Sequence, residues 1–373
     1  MRNPKLQIVA SLFTFGLITV SIAPYSTANA QSAVVPEEEK EANDMRKLAA
    51  RAKETEPFFA ATDPFEVSIT TNIRRIRADK EDKAPWRPAT ITYTDAAGKK
   101  VEVPMRLRTR GIWRLKNCEF PPLRMNFKHE ETKGTLLSGL DKPKLVNFCE
   151  NAEAHENYIL QEMQLYRIYN LLTPASHRAR LLRVSYIDSA SGKTHAQRLA
   201  ILVEEPETMA ARLGSPLVEI KGATTTDLDS YGDALVGVFQ YMIGNTDWST
   251  YGLHNMELVR EEDGDYIPIP YDFDFSGAID APYASPDPKL KLARVRQRLF
   301  RGFCHDEPEF QKVFTLFNEK KDAIYALYTD PIGRALPKKT VAETLGYFDE
   351  FYKTINDSKR ARNLIVDKCV KVD

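Results

Sequence analysis

The chain has 373 residues, of which 43% are hydrophobic, with 52 Lys and Arg set against 52 Asp and Glu. A formal net charge of zero gives no overall electrostatic footprint for nucleic acid, so nucleic acid is not expected as a partner. Beyond the first thirty residues no stretch approaches the roughly 18 apolar residues of a spanning helix, and no transmembrane anchor is expected.

Residues 1–30 read as a secretory signal. Arg2 and Lys5 form a short basic region, a mostly apolar run extends from Leu6 to Ala23, and Ala28-Asn29-Ala30 supplies the small-residue cleavage pattern. The expected product is exported, periplasmic or extracellular after cleavage near Ala30. Outside the cytoplasm the four cysteines default to disulfides. Three connectivities are possible, with Cys118–Cys149 plus Cys304–Cys369 preferred.

Residues 31–63 are polar and rich in Glu, Lys and Ala. They read as a linker or arm, with a solvated helix over 37–54. From Phe65 the period changes to two, and Phe65-Glu-Val-Ser-Ile-Thr-Thr-Asn-Ile predicts a strand. A hairpin is predicted from 88–93 and 100–107, then strands at 122–128 and 145–148. The apolar residues Tyr158, Leu165, Ile168, Tyr169 and Leu172 share one helical face, and Thr173-Pro174 stops that helix. Strands over 180–188 and 195–203 follow, then a short helix opened by Pro206, a helix over 227–244, and short strands at 256–259 and 266–271. The remainder, about 290–366, reads as helices, the first presenting Arg294, Arg296, Arg298 and Arg301 as a basic face. Strands first and helices later signal an α+β class.

The densest polar cluster is Gly244-Asn-Thr-Asp-Trp-Ser-Thr-Tyr-Gly-Leu-His-Asn255 followed by Pro270-Tyr-Asp-Phe-Asp-Phe-Ser-Gly277. A short hairpin between the two segments returns the chain to its start, so Asp272 and Asp274 are expected near Asp247 and Asn255. Three carboxylates and a carboxamide form an oxygen donor set for a hard divalent cation, and Mg²⁺ favours one or two carboxylates plus phosphate oxygens. An Asp outside the metal set can deprotonate a hydroxyl nucleophile. If the strand continues through Asp272-Phe-Asp-Phe275, its period puts Phe273 and Phe275 on one face and both aspartates on the other. Taken one at a time, such aspartates are ordinary turn and cap residues.

These segments, with Arg106-Leu-Arg-Thr-Arg-Gly111, Pro122-Leu-Arg-Met-Asn-Phe-Lys128, the helix starting at Asn157-Tyr158 and Ile201-Leu-Val-Glu-Glu205, make the chain resemble the spore-coat CotH-type family of atypical kinases. The resemblance covers about 100–280 and is closest to exported bacterial relatives. It implies a two-lobed protein-kinase-like fold, with a β-rich N-lobe over 64–205 that carries one long helix and a mainly helical C-lobe over 206–373 that carries the acidic site. It further implies ATP as donor, Mg²⁺ or Mn²⁺ as cofactor, and a protein or cell-envelope polymer as acceptor. Asp247 takes the place of the catalytic acid, and Asn255, Asp272 and Asp274 those of the metal ligands. Glu162 takes the place of the partner to a phosphate-gripping lysine, and Glu204 and Glu205 lie at the hinge near the adenine. Asn126 stands where that family carries the lysine, which leaves Lys128, Lys144 and Arg124 as substitutes. The small residues that the family carries after its Arg-x-Arg-Gly segment are Ile112 and Trp113 here. A non-catalytic, kinase-shaped envelope protein is the alternative function, and a glycosyltransferase using Asp272-Phe-Asp274 as a D-x-D metal motif is the third. The sequence says nothing of oligomeric state.

Overall fold

The computed structural model describes residues 37–81 and 84–371. The signal expected over 1–30 and the first residues of the expected arm lie outside that range. In the rest of the arm the helix expected over 37–54 forms, but the chain from its last turn onward is packed rather than solvated. The arm comprises helices α1 (Glu37–Glu54) and α2 (Glu56–Ala60), with Ala52, Thr55 and Phe58 buried. Gly139 approaches α1 so closely that a Cβ there would lie 2.4 Å from the Arg51 carbonyl oxygen. Phe58 packs edge-on against Phe65, ring centroids 5.7 Å apart, and joins the apolar core of the first strands. Phe58→Ala should therefore cost about 3–5 kcal/mol, read as a lower urea midpoint with an unchanged slope.

The strand-rich part comprises β1 (Phe65–Thr71), the short α3 (Ile73–Ala78), β2 (Arg87–Thr94), β3 (Lys100–Thr109), the short α4 (Trp113–Asn117), β4 (Leu123–Phe127), the short α5 (His129–Thr132) and β5 (Lys144–Val146). Helix α6 (Ala154–Leu172), β6 (Ala179–Asp188) and β7 (Thr194–Val203) follow. Alternation sends Ile69, Ile91, Leu107, Met125, Leu145, Val184 and Leu202 into one core, all with no exposed surface.

The seven strands close into a barrel in the order β1-β2-β3-β4-β5-β7-β6. The seam is parallel, running from Phe65 opposite Leu182 to Thr71 opposite Asp188. This overturns the two-lobed protein-kinase-like fold implied by the resemblance, because a closed barrel replaces the β-sheet lobe. A period of two tells which face of a strand is buried, but not which strands pair, and closure depends on partners far apart in the chain. The segment Leu199–Val203 is buried on both faces. Ala200 and Leu202 face the barrel core, while Leu199, Ile201 and Val203 pack with α6 and the helices beyond it.

Those helices are α7 (Pro206–Leu213), α8 (Ser230–Ile243), α9 (Glu307–Ala326), the short α10 (Pro331–Arg334), α11 (Lys338–Ile355) and α12 (Ser358–Leu364). Between them β8 (Leu217–Val218), β9 (Met256–Arg260) and β10 (Tyr266–Pro270) form a second sheet in the order β10-β9-β8. One apolar cluster unites α6, the outer face of β7, α8, α9 and α11. The basic helix predicted near residue 294 does not form, and irregular chain runs through this stretch. Arg298 Nε donates to the Tyr241 carbonyl at 3.0 Å and Arg301 Nη1 to that of Trp248 at 3.0 Å, so both guanidinium groups serve the end of α8 and the loop after it.

Cys118 pairs with Cys149 and Cys304 with Cys369, the preferred connectivity, as in proteins of oxidising, non-cytoplasmic compartments. Among the described residues no helix is long and apolar enough to cross a membrane.

Candidate functional site

Helix α8 stops at Gly244, whose φ of +65° is left-handed and whose Cβ, if present, would lie 2.0 Å from Tyr347 Oη. Only glycine fits there. In the loop that follows, the Asn245 carboxamide accepts the Asp247 N–H at 3.0 Å, and the Trp248 indole donates to the Asn245 carbonyl at 3.1 Å. Ser249 and His254 exchange backbone hydrogen bonds at 3.0 and 2.9 Å, which folds the loop back on itself. His254 Nε2 thereby reaches Asp247 Oδ1 at 3.0 Å. Asn255 Nδ2 donates to the Asp247 carbonyl at 2.8 Å and to Oδ2 at 3.2 Å. The carboxylate is thus held from two sides while its side chain stays 43% exposed.

The β9–β10 hairpin pairs Met256 with Pro270 and returns the chain as expected. The Tyr271 N–H donates to the Asn255 carbonyl at 3.2 Å. The strand does not run on to Phe275. Asp272 turns left-handed (φ 62°), as does Asn255 (φ 51°), a conformation that Asn and Asp tolerate better than other side-chain-bearing residues. The Asp272 N–H donates to Tyr166 Oη at 3.1 Å. Phe273 is fully buried, its ring 4.8 Å from that of Tyr166 and 5.4 Å from that of Phe239. This turn corrects the predicted facing. Asp272 stays partly exposed, while Asp274 is only 4% exposed.

Asp274 shares its pocket with Glu162 of α6, 1% exposed, and with Arg114, whose Nη1 lies 3.8 Å from Asp274 Oδ2. Burial first, and then the Asp272 charge, pushes the Asp274 carboxyl up to about 7 against the pull of Arg114. Burial also holds Glu162 well above the ordinary carboxylate range, helped by the charges of Asp274 and Asp272. Asp274 Oδ2 and Glu162 Oε1 are both buried without a hydrogen-bond partner.

Lys144 of β5 lies opposite. Its Nζ is 3.7 Å from Glu257 Oε1 and 3.7 Å from the centre of the Tyr271 ring. Burial lowers its pKa to about 8, with Arg110 and Arg124 adding to the effect and Glu257 and Asp272 opposing it. His254 is raised, chiefly by its hydrogen bond to Asp247 and then by the charges of Asp247 and Asp272. Both aspartates therefore act on one imidazole.

Asp272 thus links the group: its charge acts on His254, Asp274, Glu162 and Lys144, while Asn255 and His254 hold Asp247 next to it. Lys128 is exposed where β4 runs into α5. Arg124 Nε donates to the Lys142 carbonyl at 3.2 Å, and its charge reaches Lys144 only as a repulsion. Glu204 is taken by Arg178 at 2.6 Å and Arg212 at 3.2 Å. Glu205 Oε1 accepts the Asp141 N–H at 2.7 Å. These two glutamates hold the barrel to α7 and the β4–β5 connection. Of the arginines in Arg106-Leu-Arg-Thr-Arg-Gly111, Arg106 and Arg108 lie over Trp86 at 5.9 and 4.6 Å, whereas the charge of Arg110 reaches Lys144 and Glu162. Strand β3 ends at Thr109, so Arg110 is the first residue past it. Tyr166 and Glu257 carried no signal in the sequence.

Among the described residues no three His, Cys, Asp or Glu side chains form a metal cage by themselves. Mg²⁺ does not require one, since it uses one or two protein carboxylates and fills its other positions with water and phosphate oxygens. Asn255 Oδ1, the Asp272 carboxylate and the orphaned Asp274 Oδ2 fit such a partial set. No protein-family model and no curated protein matches the chain.

Proposed function

We propose that the chain is an exported, divalent-metal-dependent phosphotransferase that moves a phosphoryl group from ATP to a hydroxyl of a protein or cell-envelope polymer. The observation that carries this reading is the Asp247 carboxylate, held by His254 and Asn255 beside the left-handed Asp272. Asp247 accepts the proton of the attacking hydroxyl, and its two hydrogen bonds fix its direction. Asn255 and Asp272, with Asp274 behind them, are the residues that would hold Mg²⁺ or Mn²⁺. When bound, the cation supplies neutralising charge to the phosphates. Lys144 and Arg110 give the site positive charge for the same oxygens. Lys144, at about 8, keeps most of its proton at neutral pH. The segments 244–247, 254–255 and 271–277, which resemble CotH-type motifs, carry Asp247, Asn255, Asp272 and Asp274, and we read the resemblance as kinship in chemistry. Passage through a secretory signal near Ala30 completes the proposal and fits the two disulfides.

Asn126, in place of the family's lysine, favours a second reading in which the site binds a phosphorylated ligand without turnover. Thermal melts separate the outcomes. Mg²⁺ with ATP should raise the melting temperature more than either alone, by the equivalent of about 2.7 kcal/mol at a hundredfold excess over Kd. Transfer of labelled γ-phosphate to protein or polymer hydroxyls supports catalysis. Stabilisation without transfer selects the binding reading, and no stabilisation under any condition removes both.

A further inference from the structure

A second constellation of reactive side chains sits at the start of α8, where Asp233 lines a cavity with Trp248, Ser249, Thr250 and Tyr251 of the loop after α8. His305 belongs to the irregular segment tied down by Cys304–Cys369 and reaches the first turn of that helix. Its Nε2 lies 2.8 Å from Asp233 Oδ2, and its Nδ1 lies 3.1 Å from Ser230 Oγ. The Asp233 and His305 side chains are 1% and 4% exposed, whereas Ser230 is exposed. None of the three takes part in the site described above.

The arrangement fixes a tautomer. A buried carboxylate on Nε2 takes the Nε2–H, which leaves the Nδ1 lone pair to accept the Ser230 hydroxyl proton. A clip holding this segment to the helix would need only the His305–Asp233 pair, and the serine on the second nitrogen adds a nucleophile. Ser230 is the first residue of a 14-residue helix, so the Ser230 and Tyr231 N–H groups have no carbonyl one turn back and favour negative charge in front of them. The Gly232 N–H is already taken by Asp229 at 2.6 Å. An open groove of about 580 Å³ runs alongside, lined by Tyr231, Pro308, Gln311, Lys312 and Leu316 among others. Tyr231 directly follows the serine, and Pro308 lies three residues past the histidine.

We propose that Ser230, His305 and Asp233 form a serine hydrolase site for small acyl esters, distinct in its residues from the phosphotransferase site. Ser230 Oγ bonds to the ester carbonyl carbon while its proton passes to His305 Nδ1. The ester C–O bond then breaks, and the leaving alcohol takes that proton. Water attacks the acyl-serine and gives a proton to Nδ1. The Oγ–acyl bond breaks, a carboxylic acid leaves, and the proton returns to Ser230. The Ser230 and Tyr231 N–H groups face the developing oxyanion. Asp233 works through His305 and is a positioning residue.

A fluorophosphonate probe on the full-length oxidised protein tests this. The expected result is a covalent adduct mapped to Ser230, together with hydrolysis of p-nitrophenyl acetate. Ser230→Ala should lose both with its melting temperature unchanged, because that side chain is exposed. In folded Asp233→Asn the kcat for p-nitrophenyl acetate should fall sharply with KM little changed, since the imidazole loses the carboxylate that fixes its tautomer and direction, and Asp233→Glu should recover part of the loss. If Asp233→Asn does not fold, Ser230→Ala decides the matter. An unlabelled wild type, an adduct at another residue, or labelling that survives Ser230→Ala overturns the site, as does an unchanged kcat in folded Asp233→Asn.

Discussion

Asp247→Asn is expected to lower phosphoryl transfer by about 10²–10⁴-fold while leaving the fold intact. The carboxamide has the same shape, and its oxygen still accepts from Asn255 Nδ2, which lies 3.2 Å from Oδ2 in the wild type. What it loses is the ability to take a proton. The side chain is 43% exposed, so little stability depends on its charge. A residual pH effect follows through His254, whose pKa is raised by Asp247. That contribution is fully present below the unfolded imidazole value and is lost as pH rises through the folded one. The variant should therefore fall short of wild type in melting temperature at pH 5 and match it at pH 9. Transfer rates and melts on the same preparations check both halves, and a rate equal to wild type would remove Asp247 from the chemistry.

The second large effect concerns the buried carboxyls. Asp274 and Glu162 both titrate above their unfolded values, so between the ordinary carboxylate range and about 7 the native state binds more protons than the unfolded chain. Stability from these groups is greatest in acid and falls as pH rises through that window. Asp274→Asn removes the cost of ionising one of them. It should melt higher than wild type at pH 8, with the difference closing near pH 4. A divalent cation favours the ionised form, so Mg²⁺ at pH 8 should stabilise wild type and leave Asp274→Asn nearly unmoved. Denaturant melts across pH with and without Mg²⁺ measure this. A variant less stable than wild type at every pH would show that the Arg114 pairing outweighs burial.

Much of the local structure could be read from residue order. The alternation at Phe65–Thr71, the turn residues Asp263-Gly264 and the helical face through Tyr158 and Leu172 each reflect forces acting over a few residues. The hairpin that returns Tyr271 to Asn255 is local as well, so the meeting of Asp247 with Asp272 could be anticipated. The closed barrel was not legible, because Phe65 carries no mark of its pairing with Leu182. The left-handed turn at Asp272 was equally hidden. It depends on Phe273 being drawn between Tyr166 and Phe239, residues of α6 and α8 that only the tertiary fold supplies. The same holds for Lys144. Its apolar neighbours predict a strand, but its place over Tyr271 arises where the barrel meets the β9–β10 hairpin.

The parallel seam between β1 and β6 also sets an order of events for a nascent chain. On one side β1 pairs at once with β2, but its other edge must wait until α6 and β6 have been made. Such distant pairing raises contact order and slows folding, and the waiting edge is open to strangers of matching pattern. The bond between Cys118 and Cys149, 31 residues apart, lies wholly within the part synthesised earlier. Oxidation there can hold the early strands together before the last staves arrive, so a reduced chain should lose more to aggregation during refolding than its equilibrium stability alone would suggest.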